Sequence, residues 1–291
     1  MKPAAFEYHA PTTVEEALSL LAEHGSDAKP LAGGQSLIPA MNFRLATPAV
    51  LVDLNGIPDL SFITSSANGL RLGGMTRHRT LERSSQVARG APLVTAAMPF
   101  IAHAAIRTRG TLGGSLAHAD PAAELPAVML ALGARMTVRS IGATREVSAD
   151  EFFTGLFSTT LEPGELLVGV DIPSRQPRTA FAFDEISRRH GDFALAGAAA
   201  CVSVDADGIC TSARVALLSV ADKPVLAHQA AKALVGGRPS TQAIRDGAEA
   251  SARIDIDPTT DIHASSRYRR RLAAVLVRRV LERAFLSLET V

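Results

Sequence analysis

The first helical pattern falls at Ala17, Leu18, Leu21 and Ala22, behind Thr12-Thr13-Val14-Glu15-Glu16. Positions spaced in this way share one face of a 3.6-residue turn and predict an amphipathic helix. Thr12 and Glu15 stand three apart, as a capping box requires, and Gly25 offers a stop. Extended stretches at 29–32 and 50–53 predict strands, so residues up to about 57 read as a small α/β lobe. From Leu60 the period changes. Runs at 60–64 and 70–73 flank Asn68-Gly69, a two-residue hairpin turn signal. Residues 79–107 read as helical, broken at Pro92 and Pro99, and strands follow at 135–139 and 165–172. Pro173-Ser174-Arg175-Gln176-Pro177 reads as a linker.

Beyond the linker, strands are predicted at 179–187, 197–204 and 209–217. Asp207-Gly208 turns the last two into a hairpin. That turn pairs Ala206 with Ile209, and so sets Cys201 opposite Arg214 and away from Cys210, which argues against a disulfide. Helices are predicted over 223–236, ended by Gly236-Gly237, over 239–253, and over 266–286 with Leu272, Leu276 and Val280 on one face. The expected class is α+β: a domain of residues 1–175, in lobes of about 1–57 and 58–175, and a second domain over 178–291.

Composition removes several functions. Thirty Lys and Arg balance 29 Asp and Glu, and a net charge of +1 gives no electrostatic case for nucleic acid or an anionic membrane. No apolar run approaches the ~20 residues of a membrane span, and the N-terminus lacks an apolar signal core, so a cytoplasmic protein is expected. Two cysteines without a C-x-x-C spacing cannot by themselves hold an iron–sulfur cluster or a four-cysteine zinc site.

Two glycine pairs carry the candidate chemistry. In Pro30-Leu31-Ala32-Gly33-Gly34-Gln35-Ser36-Leu37, adjacent glycines after a strand let the backbone expose consecutive N–H groups, a concavity that suits phosphate oxygens. Gly-Gly is also an ordinary turn. In Thr111-Leu112-Gly113-Gly114-Ser115, small residues allow close approach to a flat or extended ligand. The carboxylates of Asp120 and Glu124 follow and can accept from sugar hydroxyls. Asp120 can equally cap a helix with Pro121 at its first position. No G-x-G spacing and no G-x-x-x-x-G-K-[ST] loop occurs, so a dinucleotide would need another architecture. His118, Asp120 and Glu124 complete no recognisable metal-ligand set. Arg188-Arg189 and Arg269-Arg270-Arg271 read as solvated faces or docking patches, and both cysteines as packing residues.

These segments together resemble the FAD-binding medium subunit of the xanthine dehydrogenase and carbon monoxide dehydrogenase family of molybdenum hydroxylases. The resemblance runs over nearly the whole chain. It rests on the two glycine segments with Met41-Asn42-Phe43-Arg44-Leu45, Leu51-Val52-Asp53-Leu54, Gly74-Met75-Thr76-Arg77-His78, Asp120-Pro121-Ala122-Ala123-Glu124 and Ser187-Arg188-Arg189-His190-Gly191-Asp192-Phe193-Ala194-Leu195. It implies a two-lobed FAD-binding domain of the vanillyl-alcohol oxidase type, then a small antiparallel sheet-plus-helices domain. Residues 30–37 would cradle the pyrophosphate, with Thr111, Gly113, Gly114 and Ser115 opposite. Glu124 would meet the sugar–phosphate portion, Ile101 and Leu167 would add apolar contacts, and Phe193 would lie near the flavin ring. Animal relatives carry a flavin-contacting lysine where this chain has Asp184. The implied partners are a molybdopterin-binding large subunit and a [2Fe–2S] small subunit in a heterohexamer. This chain would take electrons from the clusters and pass them to an external acceptor. A self-sufficient flavin oxidoreductase, a flavin-stabilised assembly subunit, and a homologue without FAD stay open.

Overall fold

The structure, a computed structural model, describes residues 2–289. The first lobe runs β1 (Glu7–His9), α1 (Val14–His24), β2 (Ala28–Leu31), α2 (Leu37–Asn42) and β3 (Val50–Asp53), with a parallel sheet in the order β1-β3-β2. Val14, Ala17, Leu18 and Leu21 bury against Val50 and Val52. Helix α1 begins one residue later than the spacing predicts. Thr13 is the N-cap, its hydroxyl accepting from the Glu16 N–H, and Glu16 returns to the Thr13 N–H. Glu15 is taken instead by Arg139 at 2.8 Å, a contact across 124 residues that local spacing cannot reveal.

The second lobe contains β4 (Ile63–Ser66), β5 (Gly69–Gly73), six short helices, β6 (Arg135–Ser140), β7 (Ala143–Ser148), α9 (Ala149–Phe152), β8 (Phe153–Gly155), β9 (Ser158–Thr159) and β10 (Leu166–Pro173). The six helices are α3 (His78–Arg83), α4 (Ser85–Gly90), α5 (Pro92–Ala97), α6 (Ala104–Arg107), α7 (Leu112–His118) and α8 (Glu124–Leu132). The main sheet is antiparallel, in the order β4-β5-β10-β6-β7. Its first hairpin turns at Ala67-Asn68, not Asn68-Gly69, because Ser66 pairs with Gly69. Gly69 sits against β10, where a Cβ would meet the Ile172 carbonyl at 2.0 Å, so packing against the next strand fixes this glycine. Pro92 opens α5 at its first turn, where its missing N–H costs nothing.

The remainder forms a second antiparallel sheet, β11 (Thr179–Ser187), β12 (Ala194–Val204), β13 (Cys210–Leu218) and β14 (Val225–Leu226), followed by α10 (His228–Leu234), α11 (Thr241–Ile254) and α12 (Ser266–Glu289). One face of this sheet packs on α12 and α10, and α11 packs on those two helices. The other face completes the core of the second lobe, where Phe183, Ala199 and Ala216 join Val94, Met98 and Val128. Cys201 does face Arg214, and both cysteines are free. The predicted turn does not close as drawn: Val204 pairs with Cys210, and an irregularity beside Ser203 restores the expected register further in. Arg269 is no solvated residue. It is 7% exposed and donates to the Leu195 and Ser219 carbonyls and to Asp261, pinning α12 to the sheet.

Candidate functional site

The two glycine loops meet where the lobes touch. A Cβ on Gly33 would lie 2.4 Å from the Arg109 carbonyl oxygen and 2.9 Å from the Gly110 Cα, so bare backbone is required at this crossing. A Cβ on Gly114 would reach within 3.4 Å of the Ala32 Cβ. Gly34 holds a left-handed φ of +72°, which turns the chain from β2 towards α2. Gly113 packs on Gly74, its N–H donating to the Gly74 carbonyl at 2.7 Å, and Gly74 in turn lies against the Leu167 carbonyl.

The two loops differ in what they offer. Among the described residues, the N–H groups of Gly33, Gly34, Gln35 and Ser36 donate to no protein acceptor, and the Ser36 hydroxyl has no partner. Four consecutive free donors on a glycine turn form a concavity for an anion. In the second loop four successive donors are already occupied. Leu112 N–H goes to Thr76, Gly113 N–H to Gly74, Gly114 N–H to the Thr111 hydroxyl and Ser115 N–H to the Thr111 carbonyl. This loop therefore supplies a bare surface and the Ser115 hydroxyl, not a second ring of N–H groups.

Side chains tie both loops from behind. Asn55 donates through Nδ2 to the Ala32 carbonyl at 3.0 Å. Arg77 donates to the Arg109 carbonyl and to Asn55 Oδ1. Gln35 Nε2 takes the Gly33 carbonyl, and the His78 N–H the Gly110 carbonyl at 2.9 Å. The buried His78 ring meets the Thr111 carbonyl through Nε2 at 2.9 Å, and burial pushes its pKa down to about 4. The ring is neutral, so Nε2–H donates to that carbonyl and Nδ1 carries no proton. Asn55, Arg77 and His78 were not singled out as site residues from the sequence. The only sign was the Gly74–His78 segment, whose roles depend on where the chain returns.

The other expected residues are more dispersed. Pro30 and Leu31 close β2, and Leu37 opens α2. Ile101 and Leu167 are buried in the second-lobe core, and Arg107 holds the Ile101 carbonyl at 2.9 Å. Asp120 is not the cap of α8: its carboxylate accepts from the Ala122 N–H in a turn before the helix, whose N-cap is Ala123. That turn is held from outside, where Ser219 N–H donates to the Pro121 carbonyl. Phe193 is 72% exposed.

Glu124 at the start of α8 and Glu185 on β11 form a buried acidic group. Burial raises Glu124 to about 7, helped by Asp120, and burial raises Glu185 to about 9, helped by Glu124 and Asp184. Glu185 Oε2 is buried without a hydrogen-bond partner among the described residues. Side chains alternate along β11, so Phe183 joins the core of the second lobe, while Ala180 and Ala182 join that of the helices. Asp184 accordingly points to α12 and pairs with Arg283 at 3.1 Å. The acidic residue facing the lobes is Glu185.

A cradle of free N–H groups between two lobes, reached without a G-x-G turn, suits the phosphates of a bound nucleotide. The comparisons make the class specific. Residues 4–175 match the FAD binding domain in molybdopterin dehydrogenase, and residues 181–284 match the CO dehydrogenase flavoprotein C-terminal domain. The chain belongs to this family of FAD-binding oxidoreductase subunits. It is 42% identical over 284 residues to the 6-hydroxypseudooxynicotine dehydrogenase complex subunit alpha of Paenarthrobacter nicotinovorans, covering 98% of this chain and 96% of that one. It is 39% identical to the caffeine dehydrogenase subunit beta of a Pseudomonas species, covering 98% and 96%. Its fold superposes on carbon monoxide dehydrogenase of Hydrogenophaga pseudoflava with a TM-score of 0.95 at 37% identity, over 98% of this chain and 99% of that one.

Proposed function

We propose that this chain holds FAD as the electron-carrying station of a molybdenum hydroxylase complex, taking electrons from a [2Fe–2S] partner and passing them to an external acceptor. A molybdopterin-binding large subunit would perform the hydroxylation. The observation that carries the cofactor site is the run of four unpartnered N–H groups over residues 33–36, facing the second loop's bare glycines. In this reading, residues 33–36 and the Ser36 and Ser115 hydroxyls hold the pyrophosphate, and Glu124 and Asp120 accept from sugar hydroxyls. Ile101 and Leu167 border the apolar part, and Phe193 covers an edge of the ring. Bound FAD supplies the redox chemistry, and the protein supplies position and electrostatics. Among the described residues no helix is long and apolar enough to cross a membrane.

Purification of the chain with its partner subunits tests this directly. Released chromophore should be FAD, not FMN, and the bands near ~450 nm should bleach when the complex meets its reducing substrate. Gly34→Asp should remove those bands from a folded chain. FAD that never changes oxidation state during turnover would leave only a structural role. Bleaching by substrate in the isolated chain would make it a self-sufficient oxidoreductase.

A further inference from the structure

An anion cradle made of N–H groups works only while the neighbouring carbonyl oxygens stay turned away from the anion. The carbonyls at risk are those of Ala32 and Arg109, which stand beside the two glycine loops and belong to different lobes. Asn55 Nδ2 binds the Ala32 oxygen at 3.0 Å, and Arg77 binds the Arg109 oxygen. The two side chains are joined to each other through Asn55 Oδ1, and Asp53 anchors Asn55, accepting from its N–H at 2.9 Å. Asp53 in turn accepts from the Tyr8 hydroxyl. Arg77 is half-buried, and its fork spans the gap between the lobes.

We propose that Asn55 and Arg77 act as one clasp across the lobe boundary, whose job is to keep both carbonyls out of the diphosphate cradle and hold the loops at their working separation. They are positioning residues for FAD, and this rests on the cofactor site proposed above. Lysine cannot replace Arg77, because a single ammonium on a flexible stem does not span Asn55 and a carbonyl with fixed geometry. Any positive potential Arg77 lends to the site is secondary, since the loss on its removal comes from carbonyl dipoles swinging inward.

The test is FAD titration of the stripped full-length chain, in wild type, Arg77→Ala, Arg77→Lys, Asn55→Ala and Gly34→Asp. Thermal unfolding of each apo form is followed in parallel. Arg77→Ala should raise the Kd for FAD about 30-fold, which is roughly 2 kcal/mol. Asn55→Ala should raise it by a smaller factor in the same direction, and Arg77→Lys should recover little. Millimolar methylguanidinium should restore tight binding to Arg77→Ala, and the loss should be nearly equal at low and high salt, because short-range hydrogen bonds to two fixed oxygens depend on contact geometry and not on long-range charge. Retained wild-type affinity in both Ala variants, with Gly34→Asp unable to bind, would overturn the clasp and leave the cradle standing. So would a loss that disappears at high salt, which would make Arg77 a direct phosphate ligand. Full binding by Gly34→Asp would overturn clasp and cradle together. If Arg77→Ala does not fold, Asn55→Ala, which keeps the guanidinium, decides the matter.

Discussion

Single residues set the cradle through contacts that admit no substitute. Gly33 faces backbone, the Arg109 carbonyl, whereas the nearest atom to a Cβ on Gly34 is the Ile38 Cγ1 at 3.1 Å, the end of a movable side chain. Gly33→Ala must therefore part the two loops, at an overpacking cost of about 1–3 kcal/mol. Gly34→Ala incurs mainly left-handed backbone strain of about 1–2 kcal/mol. The expected order of damage to FAD affinity is Gly33→Ala above Gly34→Ala, read by titration of the two proteins. The reverse order would show that the loops do not meet at Gly33. His78 adds a pH dependence. Its folded pKa of about 4 lies below the ordinary 6.5 of an unfolded histidine. Between these values the unfolded chain takes up a proton that the folded chain refuses, so this contribution is complete above pH 6.5 and is lost as pH falls through 4. Urea unfolding of His78→Gln, which can still donate to the Thr111 carbonyl, should lose that part of the acid slope. An unchanged slope would show that other groups set it.

At the buried acidic pair of α8 and β11, the sign reverses. Glu124 and Glu185 have folded pKa values of about 7 and 9, above the ordinary 4.5 of a glutamate. The folded chain holds protons here that the unfolded chain has released, so stability from this group is complete below pH 4.5 and declines as pH rises through 7 and then 9. Glu185→Gln keeps the shape and has no proton to release on unfolding. It should raise apo stability at pH 8–9, and by less near pH 5, because the linkage cost of keeping Glu185 protonated grows with pH. Chemical denaturation from pH 5 to 9 checks this, and a wild-type curve that rises over that range would contradict the assignment. The sequence named Glu124 and showed the strand that carries Glu185, but not that the two are buried together. The strand was legible, but which of its faces met the second lobe was decided by the packing of other elements. The same limit explains the one-residue error at α1, where Thr12 and Thr13 offer equal local caps and Arg139 claims Glu15. It also explains the hairpin at Gly69, which answers to β10. The glycine pairs and the Cys201–Arg214 register were readable because they depend on neighbours in sequence. Asn55, Arg77 and His78 were not, because their partners lie 22 to 33 residues away.

At the scale of the whole molecule, the C-terminal sheet is part of the core that positions the cofactor lobes. Phe183 meets Phe100 in a tilted pair with ring centroids 5.1 Å apart, and Ala194, Ala199, Ala216 and Leu218 belong to the same buried cluster as Val94, Met98, Leu125 and Val128. Arg214 reaches back to the Leu130 carbonyl at 2.8 Å and to Asp150. Helix α8, which carries Glu124 at its start, is apolar on nearly every side and has no water-facing stripe to fall back on, so it requires cover from β12 and β13. A chain cut after residue 175 would expose that cover site along with α5. It should lack a cooperative thermal transition, bind a hydrophobic dye and take up no FAD, even though it retains both glycine loops and the clasp. Adding residues 178–291 as a separate polypeptide should restore the transition if the sheet can dock after synthesis. A cooperative, FAD-binding fragment of residues 1–175 would show instead that the shared core is dispensable and that the two sequence-defined domains fold independently.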